Sequence, residues 1–323
     1  MKRKFLVFSF VFALAGSATA QQPVKVRLGD LAQSLNAIAS NTMTQQGFDK
    51  KHGIAVEYTV YPTLDGLFTA IRSKQVDVGF GGWTAFAQFR SKNFPVTMFF
   101  PVGKGVTLDV IAPKGSSFKT LGDLKGRKVG SYAGAAGTAT VLFRVLTSRY
   151  YGYDPAKTND LQYAGPGLMP ALVEKNEVAA ALLFDPLAAK AIATGPFRSI
   201  ANLADVYKEK TGDDFLWIGV ASNDDFIAAQ PAALSAFVRA WLEAVAYVKA
   251  NPKVFAPVSK ALGLDENGAR ILRERVLADY TTTWNDETIR SLGRFAKMAN
   301  EVMGGGFLDE VPAAAFTTRF NPK

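Results

Sequence analysis

The chain has 323 residues, 48% hydrophobic and 20% charged, a balance that supports a packed core and argues against disorder. It has no Cys and a single His, His52, which excludes disulfides, thiolate metal sites and cysteine nucleophiles and leaves any His-based metal site or Ser-His-Asp triad resting on one residue. The formal net charge of +9 includes Lys2, Arg3 and Lys4, and the other basic residues are scattered. Nucleic-acid binding is therefore not expected, whereas a mild positive field drawing small anions is.

In chain order, residues 5–15 form an apolar run after the basic start, too short to span a bilayer, and Ala18-Thr19-Ala20 fits a small-x-small cleavage rule. The expectation is a signal peptide over residues 1–20, export to the periplasm and no lipid anchor, because no Cys follows the apolar run. Strands are expected at 24–28, 54–60, 76–80 and 96–100, with a helix from about Leu35 and another over 64–73, where Leu64, Leu67, Phe68 and Ile71 share one face. The strand–helix rhythm, which argues for largely parallel strands, then restarts. Strands are expected at 107–111, 128–131, 161–163, 178–184 and 216–221. Beyond them, Pro231 opens a helix with an apolar stripe of Leu234, Phe237, Val238, Trp241, Leu242 and Val245, stopped at Asn251-Pro252. A last helix is expected to begin after Asn285 as N-cap and to end at Gly304-Gly305-Gly306.

The stretch "GRKVGSYAGAAGTATVLFRVL", residues 126–146, reads as strand, small-residue loop and helix. Gly130, Gly134 and Gly137 do not make the dinucleotide fingerprint G-x-G-x-x-G, and no Gly-Lys-Ser/Thr follows. Small residues still let a ligand approach the backbone, and the helix start presents unpaired N–H groups suited to an anion, with close packing as the competing reading. "VDVGFGGWTAFAQF", residues 76–89, repeats the layout, and Trp83 is either a stacking wall or a core residue.

Three stretches together resemble the substrate-binding proteins of ABC importers, in the nitrate/sulfonate/taurine family that also includes thiamine-precursor binders. They are "GFDKKHGIAVEYTVYPTLDGLFTAIRSKQVDVGFGG", "VIAPKGSSFKTLGDLKGRKVGSYAGAAGTATVLFRVL" and "ALVEKNEVAAALLFDPLAAKA". The resemblance implies an α/β, two-lobed type II periplasmic binding fold, with mixed sheets flanked by helices and a ligand cleft at the hinge. Lobe 1 would comprise residues 21–109 and 219–323, and lobe 2 residues 110–218, with crossings near 108–112 and 216–220. Family contact positions carry over onto Gln33, Ser34, Gly82, Trp83, Thr84, Ala136, Gly137, Thr138 and Asp185. Sulfonate and nitrate members usually carry Ser or Thr where this chain has Ala136 and Gly137, and commonly Trp where it has Phe184. His52 falls in a surface turn of the family pattern.

The expected function is the capture of a small organic anion, a sulfonate or an aromatic or aliphatic carboxylate, by a monomer that delivers it to an ABC permease and its ATPase. No cofactor or metal is expected. The alternatives are a neutral pyrimidine-like vitamin precursor as ligand, or an exported enzyme using the same cleft. No G-x-S-x-G, no HExxH and no second His supports the enzyme, although Asp30, Asp65, Asp109 and Asp185 leave a paired-carboxylate mechanism open. Phe80, Trp83, Phe86, Phe184 and Trp217 are the aromatics expected near the ligand.

Overall fold

The computed structural model describes residues 22–322 except 159, 306 and 309. The expected signal peptide lies outside the described residues. Among those described, no helix is long and apolar enough to cross a membrane.

The strands form two five-stranded sheets. The first has the order β2 (Ile54–Tyr61), β1 (Val24–Leu31), β3 (Val78–Gly82), β10 (Ile218–Asn223), β4 (Val96–Gly103). The second has the order β7 (Leu161–Tyr163), β6 (Val129–Ser131), β8 (Ala180–Leu183), β5 (Asp109–Pro113), β9 (Phe197–Asn202). Within each sheet the strands joined by helices run parallel, β1 with β2 and β3, and β6 with β7 and β8. The crossing strands run the other way: β10 is antiparallel to β3 and β4, and β5 to β8 and β9. The sheets are thus mixed, and the largely parallel arrangement suggested by the strand–helix rhythm holds only away from the crossings. A crossing strand enters from the other lobe, so no right-handed helical return fixes its direction.

Expected and observed elements differ mostly at their ends. Strand β3 starts at Val78, two residues later than expected, although Asp77 N–H already donates to Arg27 O on β1 at 2.8 Å and its carboxylate accepts from the amide and side chain of Arg27. The chain passes between sheets through residues 104–108 and returns through 203–217, where Trp217 N–H donates to Gly103 O at 2.9 Å. Helix Asp286–Met303 begins after Asn285, whose side chain accepts from Thr288 N–H as an N-cap. Strand β9 and helix Glu266–Asp279 were not expected from the sequence, and both prove to matter for the hinge.

The C-terminal helices lie across both lobes. Helix Glu266–Asp279 carries Arg275 to Asp109 on β5 and to Asp185 after β8. Helix Asp286–Met303 packs Phe295 edge-on to Trp83 at 5.6 Å, and its Glu301 pairs with Arg149 of helix Thr138–Tyr150.

Candidate functional site

A cavity of ≈ 50 Å³ lies between the sheets, room for about three waters. Its floor comes from the ends of β1 and β3 and the starts of helices Asn36–Gln45 and Trp83–Ser91; its roof comes from the loop after β6 and the start of helix Thr138–Tyr150. Five aromatic side chains contribute to the walls. Phe184 stands between Tyr132, at a ring distance of 4.7 Å, and Trp217, at 5.5 Å, and Phe68 and Phe80 face them from the first lobe. An outer cavity of ≈ 230 Å³ shares Leu31, Leu64, Tyr132 and Ala133 with the inner one and reaches the rim at Asp65 and Tyr163.

Three helices start at this cleft, after Leu35, Gly82 and Gly137, and none has a side-chain cap. The first turns of the latter two touch across the gap. Thr84 Oγ1 and Thr138 Oγ1 are 2.6 Å apart, and a Cβ on Gly82 would stand 2.1 Å from Thr138 Oγ1. Glycine at 82 is what lets the lobes come this close.

Polar chemistry in the inner cavity centres on Asp30, 1% exposed at the end of β1. Its carboxylate accepts from Leu31 N–H at 2.7 Å, Ser34 Oγ at 2.7 Å, Tyr58 OH at 2.9 Å and Asn36 Nδ2 at 3.4 Å. Burial pushes its pKa up to about 6, although these four bonds favour the charged form. No Lys, Arg or His is among the described residues that line this cavity.

The expected contact residues divide. Ser34, Gly82, Gly137 and Thr138 line the inner cavity. Thr84 is fully buried and meets Thr138 rather than the cavity. Gln33 is exposed, in a left-handed conformation at φ 60°, with Oε1 beside Gly167 of the other lobe. Three of these residues lie away from the inner cavity. Trp83 lies wholly in the core against Phe295 and Phe316, because the first helical turn after Gly82 directs residue 83 away from the cleft. Ala136 is exposed in the loop and does not line the cavity, whereas its neighbour Gly137 does. Asp185 is fully buried, and Arg275 and Ala189 N–H take up its oxygens. Of the expected aromatics, Phe80, Phe184 and Trp217 line the cavity, whereas Phe86 joins Trp83 in the core. His52 is half-buried and pairs with Glu243 at 2.9 Å, so it is tethered rather than free in a turn.

Sequence reasoning missed Asn36, Tyr132 and the hinge residues Arg275 and Asp279. Tyr132 was within reach, because it follows β6 at the carboxyl end of a strand. Asp279 is fully buried beside residues 104–107 of the first crossing, and its backbone O accepts from Lys104 N–H at 2.9 Å. No hydrogen bond of ordinary geometry reaches its carboxylate. Burial, with the charge of Asp185 added, raises its pKa to about 7, and the amides of Gly105, Val106 and Thr107 offset this only in part.

Asp30, Asp185 and Asp279 therefore all bind protons more tightly in the folded chain than in the unfolded one. Between about pH 4 and pH 7 the folded state holds protons that the unfolded state has lost, so stability falls as pH rises through that window. Urea unfolding should accordingly give greater stability at pH 5.5 than at pH 8. Asp279→Asn should stabilise at pH 8 by about 1–3 kcal/mol and flatten this profile. Stability that rises from pH 5.5 to pH 8, with no gain from Asp279→Asn, would contradict this assignment.

The family profile described as NMT1/THI5 like matches residues 39–254. A protein of Brucella abortus (strain 2308) whose name proposes it to be a binding protein is 27% identical over 260 residues, covering 78% of this chain and 76% of that protein. The alkanesulfonate-binding protein SsuA of Xanthomonas axonopodis pv. citri, solved with bound MOPS, superposes with a TM-score of 0.76 at 15% identity, covering 92% of this chain and 99% of that one. The periplasmic aliphatic sulphonate binding protein SsuA of Escherichia coli superposes with a TM-score of 0.70 at 16% identity, covering 93% of this chain and 92% of that one. The two solved structures share the fold, that of periplasmic binding proteins, and the profile match over most of the chain supplies the kinship: this protein belongs to the NMT1/THI5-like family.

Proposed function

We propose that this chain is the solute-binding component of an ABC importer. It works in the periplasm as a monomer, closes lobe 1 (21–109 and 219–323) and lobe 2 (110–218) on one small organic molecule, and passes it unchanged to a permease and its ATPase. The observation that carries this reading is the inner cavity, which is completed by side chains from both sheets and sits beside the two crossings. A cleft built this way loses its walls when the lobes part, so binding and closure are one event. The names of the relatives point the same way.

The ligand expected from composition was an organic anion. Only uncapped helix starts and neutral donors such as the Tyr132 hydroxyl would meet its charge, since no cationic side chain among the described residues lines the cavity and a carboxylate does. The neutral, pyrimidine-like alternative suits such walls better. The enzyme reading is weaker. Asp109 and Asp185 are committed to Arg275, and Asp65 lies at the outer rim, which leaves Asp30 without a second carboxylate in the inner cavity.

A thermal-shift screen across sulfonates, carboxylates, nitrate and neutral and cationic heteroaromatics tests the proposal, with mass spectrometry of the recovered compound. A ligand at 100 times its Kd should stabilise by about 2.7 kcal/mol and be recovered intact. Conversion of the compound on incubation would replace the binding reading with an enzymatic one.

A further inference from the structure

Helix Glu266–Asp279 passes from one sheet to the other at its last residue. One turn before that end, Arg275 is bound to Asp109 on β5 and to Asp185 after β8, both of the second sheet. At the end itself, Asp279 O accepts from Lys104 N–H at 2.9 Å and Thr281 N–H donates to Val102 O at 2.9 Å, which pairs the chain with the end of β4 in the first sheet. Residues 279–281 are thus a further link between the sheets, beside 104–108 and 203–217. The Asp279 side chain lies inside this junction, fully buried, and so close to the first crossing that a Cβ on Gly103 would stand 2.5 Å from its Oδ2.

The charges at this junction do not balance. Asp109, Asp185 and Asp279 are 2%, 0% and 0% exposed, and among the described residues Arg275 is the cation bonded to the first two. Neither carboxylate oxygen of Asp279 has a hydrogen-bond partner. Lys104 gives Asp279 its backbone N–H and no side-chain bond. The other neighbours add no positive charge: Asp205 senses Asp109 and Arg275, and Tyr132 and Tyr280 are buried phenols whose ionisation the Asp279 charge further opposes. Buried negative charge without a counter-ion is unfavourable, and a proton on Asp279 removes it. Burial, and after it the charge of Asp185, accordingly pushes the Asp279 pKa up to about 7.

We propose, building on the binding-protein reading, that Asp279 is a proton-operated latch of the hinge: the closed cleft holds a proton on its carboxyl group, and opening releases that proton to water. In the closed form the carboxyl group is packed against Gly103 and the amides of residues 105–107. Those residues belong to the crossing that must bend when the lobes part, so opening loosens this packing and lets water reach the group. A proton bound more tightly by the closed form favours that form. The preference is complete in acid, where the proton is bound, and is lost as pH rises through about 7. Acid therefore promotes closure and capture, and alkali promotes opening and release.

The chain has no Cys, so a pair of spin labels can be introduced by substitution alone. Thr69 on the first lobe and Ala171 on the second are exposed, and Thr69→Cys with Ala171→Cys reports the separation of the lobes with the proton as the only ligand varied. Between pH 8.5 and pH 5.5 the short-distance population should gain on the long-distance one by about tenfold. Asp279→Asn, a neutral isostere checked first for cooperative unfolding, should keep the short distance at both pH values. A distance distribution that does not change with pH would overturn the inference. So would a pH response that survives Asp279→Asn, or one in the native chain that disappears in Asp30→Asn, because the proton would then sit in the ligand cavity and not at the hinge. The binding-protein reading fails separately, on conversion of a compound in the thermal-shift screen, whereas lobe movement with pH is read with no compound present.

Discussion

Arg275→Met should destabilise the protein by about 3–5 kcal/mol in urea unfolding at pH 8. Arg275 is the cation for two carboxylates that are 2% and 0% exposed on their side chains, Asp109 and Asp185. Its Nε meets Asp185 at 2.7 Å, and its Nη2 bonds to Asp109. Ser199 Oγ adds a bond to Asp109 at 2.6 Å and Ala189 N–H one to Asp185 at 2.9 Å, too little to hold two buried charges without the arginine. The loss should shrink at pH 5, where protonation relieves the stranded carboxylates. It should also shrink on adding Asp109→Asn and Asp185→Asn, because removing all partners of a buried ionic cluster costs far less than removing one. A loss below 1 kcal/mol at pH 8 would show that the cluster does not tie helix Glu266–Asp279 to the second lobe.

Gly82→Ala should leave folding nearly unchanged and weaken ligand binding at least tenfold. The backbone at 82, φ −68° and ψ 134°, suits alanine, so the local cost is small. The added Cβ, however, would lie 2.1 Å from Thr138 Oγ1 and 3.0 Å from Thr138 Cβ, across the cleft. Packed surfaces do not absorb an overlap of that size, so the lobes must stand further apart and the Thr84–Thr138 bond is lost. Adding Thr138→Ala removes the nearer clash and should recover part of the affinity. Small-angle scattering of the ligand-saturated variant should give a larger radius of gyration than the native complex. An equal radius and native affinity would mean that the cleft does not close at this contact.

The fold was readable because each lobe spells out its strands as short apolar runs between turn residues, and their order survives errors of one or two residues at the ends. Strand directions at the crossings were not readable from the local rhythm, since direction there depends on which lobe the chain comes from. The site was legible where the backbone itself forms the wall. Gly82, Gly137 and Thr138 follow from a helix starting at a strand's carboxyl end. It was illegible where one helical residue's rotation decides between cleft and core. Trp83 and Thr84 follow Gly82 directly, yet both are buried away from the cavity. Arg275 lies 90 residues from Asp185 and 166 from Asp109, on a helix with nothing in its own sequence to mark a partner.

Trp217 offers the most direct test of the central claim, that one small molecule is held between the two sheets. Its ring lines the inner cavity, whereas Trp83, Trp241 and Trp284 lie in the core and do not. Titration of the compound found in the thermal-shift screen should change tryptophan emission with a saturation point of one molecule per chain, and the change should vanish in Trp217→Phe while calorimetry still detects binding. An emission change that persists in Trp217→Phe, or saturation at other than one molecule per chain, would contradict a single site in this cleft.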